Sequence, residues 1–208
     1  MRNVIGIDEV GRGCLAGPVV VAAALVKKPI RNRALGTLKD SKKLTKAQRE
    51  AWFDFFINNN DIEFALAWVY PRQIEKRNIS RAANLAAQRA YERLAMAIGE
   101  ADRAAPGTKA RTKAKTKTKV YLDGGLYLGR KEIQPPHAKT VIKGDEKIRA
   151  VAIASIIAKV SRDRSMVRLA RKYPGYGFEA HKGYATKLHR NAIAVMGISP
   201  IHRLTFVS

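Results

Sequence analysis

The start of the chain constrains the fold most, because there a short apolar run ends in two adjacent carboxylates. Residues 4–13 read VIGIDEVGRG, so Asp8 and Glu9 close a run that is typical of a buried strand. Carboxylates are costly to hold at the edge of an apolar core unless something pairs with them, and divalent cations are common partners. The glycine-arginine-glycine turn at residues 11–13 can bring backbone N–H groups and a guanidinium to a phosphate. Metal ligands beside a phosphate-binding turn indicate phosphodiester chemistry.

The net charge of the chain points to a polyanionic partner. Its 208 residues have a formal charge of +23, an excess that favours nucleic acid over other partners. The alternative is a basic surface that serves only solubility, but an excess of this size also promotes non-specific binding to nucleic acid. With 46% hydrophobic residues the chain is typical of a globular protein, and its length suits one domain.

Part of this charge lies in a low-complexity segment, residues 107–119, which reads GTKARTKAKTKTK. Lysine, threonine and alanine in this pattern form no buried face, so the sequence predicts a mobile basic loop at about residues 105–119. The segment either tethers nucleic acid through its lysines or is a solvated spacer, and both interpretations stay open. The net charge alone therefore does not locate the binding face.

The single cysteine, Cys14, excludes an internal disulfide and a zinc site built from several cysteines. It is either a reactive thiol beside the turn or a small buried residue, and burial is the commoner situation. No apolar run reaches the length of a membrane span, and the N-terminus lacks a secretory pattern. We therefore expect a cytoplasmic protein with no membrane partner.

Strands alternate with helices after an initial antiparallel pair of strands. The predicted strands are residues 4–7, 18–26, 62–70, 120–122 and 140–142, and the predicted helices are residues 45–57, 71–96 with a restart near 80, and 148–172. Thr45 and Gln48 form a capping-box pattern at the start of the first helix. This order of elements predicts an α/β fold with a mixed sheet.

Two further acidic residues, Asp123 and Asp145, also follow short apolar strands and lie near glycines. Sites in α/β sheets collect where strands end at one edge, so these side chains are candidates to join Asp8 and Glu9. Phosphodiester hydrolysis by two metal ions needs several carboxylates around ions roughly 3.5–4 Å apart. Taken alone, Asp145 is also explained as part of a turn and helix start, and Asp8 with Glu9 as a surface pair.

Five short blocks follow one another in a characteristic order along nearly the whole chain, up to His202-Arg203. They are Gly6-Ile7-Asp8-Glu9-Val10-Gly11-Arg12-Gly13 with Ala16-Gly17-Pro18, Asp40-Ser41-Lys42-Lys43-Leu44, Leu122-Asp123-Gly124, Ala154-Ser155-Ile156-Ile157-Ala158-Lys159-Val160-Ser161-Arg162-Asp163, and His181-Lys182-Gly183-Tyr184. In these blocks the chain resembles the ribonuclease HII family. Because the match is made of several ordered blocks, it is highly specific.

The resemblance implies a ribonuclease H-like α/β fold, a mixed sheet flanked by helices, with a helical C-terminal extension. Residues 1–172 would form the catalytic domain and residues 173–208 a substrate-contacting extension of the same unit. The implied activity is metal-dependent hydrolysis of the RNA strand of RNA–DNA hybrids. It includes cleavage 5′ of single ribonucleotides embedded in duplex DNA, which leaves 3′-hydroxyl and 5′-phosphate ends. The implied partners are RNA–DNA hybrid and ribonucleotide-containing duplex DNA, and the protein is expected to be a monomer.

The resemblance also implies which residues form the site. The four acidic positions that hold two Mn²⁺ or Mg²⁺ ions and act in catalysis would be Asp8, Glu9, Asp123 and Asp145. The turn that meets the 2′-hydroxyl and phosphate at the RNA–DNA junction would be Gly11, Arg12 and Gly13, and the tyrosine that packs on the next deoxyribose would be Tyr184. The phosphate contacts would come from Ser41, Lys42 and Lys43, unless that run is a solvated loop.

Competing functions share parts of this pattern. A non-catalytic nucleic-acid-binding protein would also be basic, but it gains nothing from carboxylates placed against a polyanion. Another nuclease or transposase of the same fold would share the acids without the glycine-arginine-glycine turn or the Tyr184 block. Asp163 is expected to pair with Lys159 one helical turn earlier. His181 and His189 either assist proton transfer or serve packing or phosphate contact, and the second is the commoner situation.

Overall fold

A five-stranded sheet in the order β3-β2-β1-β4-β5 forms the centre of the fold. The computed structural model describes residues 3–38, 41–104, 118–129 and 134–207. The strands are β1 (Val4–Val10), β2 (Val19–Val26), β3 (Ile62–Val69), β4 (Lys119–Asp123) and β5 (Ala138–Val141). β2 is antiparallel to β1 and β3, whereas β4 is parallel to β1 and β5. The predicted mixed sheet is confirmed.

The register between β1 and β4 decides where the acidic residues lie. Ile7 pairs with Leu122, so Asp8 and Asp123, one residue further along each strand, lie side by side. Because these two strands are parallel, both acids end at the same edge of the sheet. Glu9 follows Asp8 on β1 and is therefore the third carboxylate at that edge.

The described helices are α1 (Lys46–Ile57), α2 (Pro71–Arg77), α3 (Ile79–Ala104), α4 (Gly144–Lys147), α5 (Arg149–Lys172), α6 (Phe178–His181), α7 (Lys187–Met196) and α8 (Leu204–Val207), with a 3-10 helix at Ser41–Lys43. The capping box is present: the Gln48 amide donates to the Thr45 hydroxyl, and the Thr45 amide donates to the Gln48 side chain. Asn78, at φ 65°, separates α2 from α3, which agrees with the predicted restart. None of the helices in the described ranges could cross a membrane.

Two apolar layers cover the sheet. On one face, alanines of α3 such as Ala82 and Ala86 pack against β1 and β2, and small side chains allow a close approach. On the other face, Trp52 and Phe56 of α1 pack with the buried start of α5. Gly6 lies so close to α5 that an added Cβ would be 2.0 Å from the Ala150 carbonyl carbon.

The C-terminal residues pack onto α5 and onto the segment between β1 and β2. Tyr176 and Phe178 form a small buried cluster with Met166 of α5 and with Ala16. The Leu15 amide donates to the Gly183 carbonyl at 2.8 Å, which ties the two segments together. Residues 173–208 as a substrate-contacting extension remain a prediction. Of the predicted basic loop at residues 105–119, residues 105–117 lie outside the described part of the chain.

Candidate active site

Three carboxylates converge at the edge of the sheet where β1 and β4 end. Asp8, Glu9 and Asp123 each offer one oxygen, and these oxygens all lie within 4.8 Å of one another. Asp8 is 4% exposed and the Glu9 side chain is 10% exposed, whereas Asp123 is half-buried. The strand-end pattern in the sequence therefore identifies side chains that the fold brings together.

Burial and mutual repulsion make this cluster electrostatically unfavourable without a cation. Burial raises the pKa of Asp8 well above its usual value, and the negative charges of Glu9 and Asp123 raise it further. The pKa of Glu9 is also raised, chiefly by burial, although the neighbouring Arg12 opposes the shift. A bound cation would relieve the repulsion and favour the ionised carboxylates.

Hydrogen bonds from β1 and α5 hold the Asp8 carboxylate in place. Asp8 Oδ1 accepts a 2.7 Å hydrogen bond from the Glu9 amide, and its carboxylate also accepts one from the Ser155 hydroxyl. The Ser155 and Ser41 hydroxyl oxygens are 2.8 Å apart, which connects α5 to the 3-10 helix. Ser155 lies within one of the quoted blocks, but nothing in the sequence marks its hydroxyl as a partner that positions Asp8.

Asp145 lies beside the cluster but is not one of the three mutually close carboxylates. It follows Gly144, whose amide donates a 2.7 Å hydrogen bond to Asp123 Oδ1. Asp145 is buried, and one of its oxygens lies 3.5 Å from the Lys42 amine. The structure therefore places Asp145 at the start of α4, next to the metal-binding candidates.

The run Ser41-Lys42-Lys43 has one buried member and two exposed members. Ser41 is buried, and its hydroxyl contacts the Ser155 hydroxyl inside the protein. Ser41 therefore contacts the residue that hydrogen-bonds Asp8. Lys42 is 81% exposed in its side chain, and the Lys43 amine lies 3.1 Å from Glu146. Both lysines are therefore at the surface on the side of α4. Asp40, which precedes them, lies outside the described residues.

The glycine-arginine-glycine turn lies directly against the carboxylates. Arg12 donates to Glu9 Oε1 at 3.2 Å and to the Ser80 hydroxyl at 3.1 Å. Gly11 adopts φ +91°, a conformation that favours glycine, and Gly13 is exposed with open space where a Cβ would lie. The turn thus presents an open backbone at Gly13, close to the acidic cluster.

Tyr184 lies next to this turn and forms an isolated β-bridge with Cys14. Its side chain is 37% exposed, and the Lys159 amine lies 5.4 Å from the ring centroid. Burial is the main cause that raises the pKa of Tyr184 to about 12, so the phenol is neutral at physiological pH. Cys14 is fully buried and burial raises the pKa of its thiol, which confirms the buried interpretation of this residue. The predicted pair of Lys159 with Asp163 is present at 2.9 Å.

The donor set fits a hard divalent cation. Carboxylate oxygens are the ligands that Mg²⁺ and Mn²⁺ prefer. Glu9 Oε2 is buried and has no hydrogen-bond partner among the described residues, although such an oxygen normally finds one. A buried carboxylate oxygen that lacks a hydrogen-bond partner and lies within a group of three close carboxylates is suited to bind a metal ion.

A mixed sheet with acidic residues at the ends of its central strands defines a nuclease of the ribonuclease H-like class. The chain belongs to the ribonuclease HII family, whose family model matches residues 5–208. A ribonuclease HII from Fusobacterium nucleatum is 42% identical over 211 residues, covering 99% of this chain and 86% of that protein. The resemblance inferred from the sequence blocks is confirmed, and the protein is a ribonuclease H-type hydrolase.

Solved structures agree with this assignment. The ribonuclease H2 of Pyrococcus horikoshii has a TM-score of 0.65 and 28% identity, and the match covers 99% of this chain and 95% of that one. A chain from the complex of PCNA with RNase HII of Archaeoglobus fulgidus has a TM-score of 0.68 and 26% identity, with 98% and 94% covered. The predicted ribonuclease H-like fold is therefore confirmed.

Proposed function

We propose that this protein hydrolyses the RNA strand of RNA–DNA hybrids and cuts 5′ of single ribonucleotides embedded in duplex DNA. The supporting observation is the cluster of Asp8, Glu9 and Asp123 immediately beside an open glycine-arginine-glycine turn. Carboxylates alone would repel a polynucleotide, so their place next to a phosphate-binding turn favours chemistry over simple binding.

The proposed cofactors are two divalent ions, Mn²⁺ or Mg²⁺, held by Asp8, Glu9 and Asp123, with Asp145 supplied from the adjacent turn. Such ions, when bound, lower the pKa of an attacking water and neutralise charge at the phosphate. Glu9 Oε2, which has no hydrogen-bond partner among the described residues, is well placed to bind one of these ions. Ser155 and the Glu9 amide keep Asp8 oriented throughout.

The reaction adds one water across a phosphodiester. The bond between the phosphorus and the 3′-oxygen of the preceding nucleotide breaks, the 3′-oxygen takes a proton, and the phosphate stays on the ribonucleotide. The products therefore have 3′-hydroxyl and 5′-phosphate ends. Lys42 and Lys43, which are exposed on the α4 side, are suited to the flanking phosphates.

The substrate is recognised through its sugar. The exposed backbone at Gly13 leaves room for a ribose 2′-hydroxyl, the group that distinguishes RNA from DNA. Tyr184, which is exposed beside the same turn, offers a flat face for the following deoxyribose. We propose that the enzyme acts as a monomer.

Cleavage of an end-labelled DNA duplex that contains one ribonucleotide tests this proposal. With Mg²⁺ or Mn²⁺ we expect a single product that ends 5′ of the ribonucleotide and can be extended by a polymerase because it has a 3′-hydroxyl. With EDTA, and with an all-DNA duplex, we expect no product. Metal-independent cleavage, or cleavage 3′ of the ribonucleotide, would refute the proposed activity.

A further inference from the structure

Two arginines are fully buried beneath the segment that joins β1 to β2. Arg162 and Arg203 are both 0% exposed, and no carboxylate of the described residues lies within 4.0 Å of either guanidinium. Burial is the main cause that lowers the pKa of Arg203 to about 10, so this side chain remains a cation at neutral pH. Burial of two cations without an acidic partner costs free energy unless other groups satisfy them, and here their partners are backbone carbonyls.

Arg203 binds backbone carbonyls of the glycine-arginine-glycine turn. Its Nη2 donates to the Gly11 carbonyl at 2.7 Å, and its Nη1 donates to the Arg12 carbonyl at 2.7 Å. Nη2 and Nε also donate to the Gly17 carbonyl, at 2.8 and 3.1 Å. One side chain near the C-terminus therefore fixes both ends of this segment.

Arg162 of α5 binds the same segment from the other side. It donates to the Ala16 and Pro18 carbonyls at 3.1 and 2.9 Å, and to the Lys182 carbonyl at 2.9 Å. Its guanidinium carbon lies 5.7 Å from the ring centroid of Tyr184. Arg162 therefore links the turn to the segment that contains the tyrosine.

The direction of these carbonyls determines where the neighbouring N–H groups point. In a trans peptide the carbonyl of one residue and the N–H of the next point in opposite directions, and the described chain has no cis peptide. Because Arg203 binds the Gly11 and Arg12 carbonyls, the N–H groups of Arg12 and Gly13 point away from it. No described atom accepts a hydrogen bond from either N–H, and Gly13 is exposed. Successive free N–H groups of this kind form an anion-binding surface.

On the basis of the function proposed above, we propose that Arg203, assisted by Arg162, is a positioning residue for substrate recognition. It holds the turn so that the Arg12 and Gly13 N–H groups face the ribonucleotide and can bind a substrate phosphate on the side of the turn away from the two buried guanidiniums. The fork of guanidinium donors is essential, because a lysine keeps the charge but cannot bind three separate carbonyls in this geometry.

The test compares Arg203→Lys and Arg162→Lys with Arg164→Lys, a charge-preserving control at a surface arginine that pairs with Glu50 and Asp54. Folding is checked by circular dichroism. Fluorescence anisotropy in EDTA then gives the affinity for an all-DNA duplex and for the same duplex with one ribonucleotide. We expect the preference for the ribonucleotide to fall about tenfold in both buried-site variants, and the affinity for plain DNA to stay within about twofold. In Mg²⁺, kcat/KM on the embedded ribonucleotide should fall at least about tenfold, with part of the loss in KM because the variants bind this duplex more weakly.

A purely structural role gives a different result, because loss of folded protein lowers binding of both duplexes equally and leaves their ratio unchanged. A wild-type ratio in folded Arg203→Lys or Arg162→Lys would overturn the positioning role and leave the proposed function standing. Failure of the wild-type protein to cut the ribonucleotide-containing duplex would instead refute the proposed function. If neither variant folds, amide exchange on the wild-type protein decides: protection of the Arg12 and Gly13 N–H groups by the duplex in EDTA is expected, and its absence overturns the inference.

Discussion

The Asp123 carboxylate accepts a 2.7 Å hydrogen bond from the Gly144 amide, which fastens the end of β4 to the start of α4. There is little spare room at this contact, because a Cβ on Gly144 would lie 3.3 Å from Asp123 Oδ1. Asp145 follows Gly144 in α4, so this hydrogen bond fixes the position of Asp145 relative to Asp123. The candidate metal site therefore depends on a backbone contact as much as on its carboxylates.

Removal of one carboxylate charge from the cluster should abolish cleavage. For Asp8→Asn and Asp123→Asn we expect kcat to fall by at least about a thousandfold, since each variant removes a metal ligand and several kcal/mol of transition-state stabilisation. Binding of the duplex in EDTA should change little, because the basic surface is retained. Steady-state kinetics and anisotropy measure the two effects separately.

The matched control is Asp163→Asn, which removes a carboxylate that pairs with Lys159 on α5. This variant should keep kcat within about threefold of wild type, because Asp163 lies outside the cluster of three. Full activity in either Asp8→Asn or Asp123→Asn would contradict the metal-site assignment.

The same charges should destabilise the protein when no metal is present. Asp8 repels Glu9 and Asp123, so Asp8→Asn should raise the free energy of unfolding in EDTA by about 1 kcal/mol. Saturating Mn²⁺ should reverse the order, since a ligand at about a hundred times its dissociation constant stabilises the wild type by about 2.7 kcal/mol. Urea denaturation with and without Mn²⁺ measures both effects. Equal stabilisation of wild type and variant by Mn²⁺ would mean that the ion binds elsewhere.

The members of the acidic cluster could be predicted from the sequence because a local pattern marks each of them. Each acid follows an apolar strand, and parallel pairing of β1 and β4 then brings Asp8 and Asp123 together. The strands, the capping box and the long helix α5 follow in the same way from short-range patterns. For these elements the observed and predicted bounds differ mainly at the ends: α3, for example, extends to Ala104 and not to residue 96.

Contacts between distant parts of the chain could not be predicted in this way. Arg203 lies 192 residues from Gly11 in the sequence, and nothing near it shows that its partners are carbonyls. Ser41 precedes two lysines and is expected at the surface, yet it is buried against Ser155. Gly6 gives no sign in the sequence that it lies against Ala150. Each depends on how helices dock onto the sheet, which periodicity does not specify.

The open backbone at Gly13 gives a substitution that separates binding from folding. A Cβ there would meet nothing within 4 Å, and the backbone is not in the left-handed region, so Gly13→Ala should fold with wild-type stability. If the substrate approaches this backbone closely, the methyl group occupies its space, and kcat/KM on an embedded ribonucleotide should fall about tenfold or more. Unchanged kcat/KM would show that the substrate does not approach Gly13.

Gly11→Ala provides the contrast, because the same methyl group there faces the protein. Gly11 has φ +91°, and its Cβ would lie 2.3 Å from Arg162 Nε. We expect this variant to lose roughly 1–3 kcal/mol of stability, from backbone strain and displacement of the guanidinium. A thermal melt that shows equal stability for Gly11→Ala and Gly13→Ala would contradict the described packing of the turn.

Tyr184 should act through its ring more than through its hydroxyl. Tyr184→Ala removes the face that packs beside the turn, so cleavage at a single embedded ribonucleotide should fall about tenfold further than cleavage of a continuous RNA–DNA hybrid. Tyr184→Phe keeps the ring and loses only the hydroxyl beside Cys14, so it should stay within about threefold of wild type on both substrates. Equal losses on the two substrates in Tyr184→Ala would remove its proposed role at the RNA–DNA junction.

The stability of the segment around Tyr184 should depend on pH through His189. Its Nδ1 lies 2.9 Å from the Tyr184 carbonyl and must donate, so the Nε2 of the neutral ring accepts from His202 Nε2 at 3.0 Å. His202 Nδ1 in turn accepts from the Ser199 amide at 2.8 Å, which fixes the tautomers of both rings. Protonation of His189 would place two donors face to face.

Burial, chiefly, lowers the pKa of His189 to about 4, and the nearby Arg190 cation opposes its protonation further. Because the unfolded chain takes up this proton near pH 6.5, the folded state is fully stabilised above that pH and loses stability as the pH falls towards 4. Between pH 7.5 and pH 5.0 we expect a loss of about 2 kcal/mol from this residue. Urea denaturation of wild type and His189→Gln at the two pH values measures it, and the variant should lose less over that interval. An identical pH dependence in the two proteins would show that His189 is not neutral in the folded state.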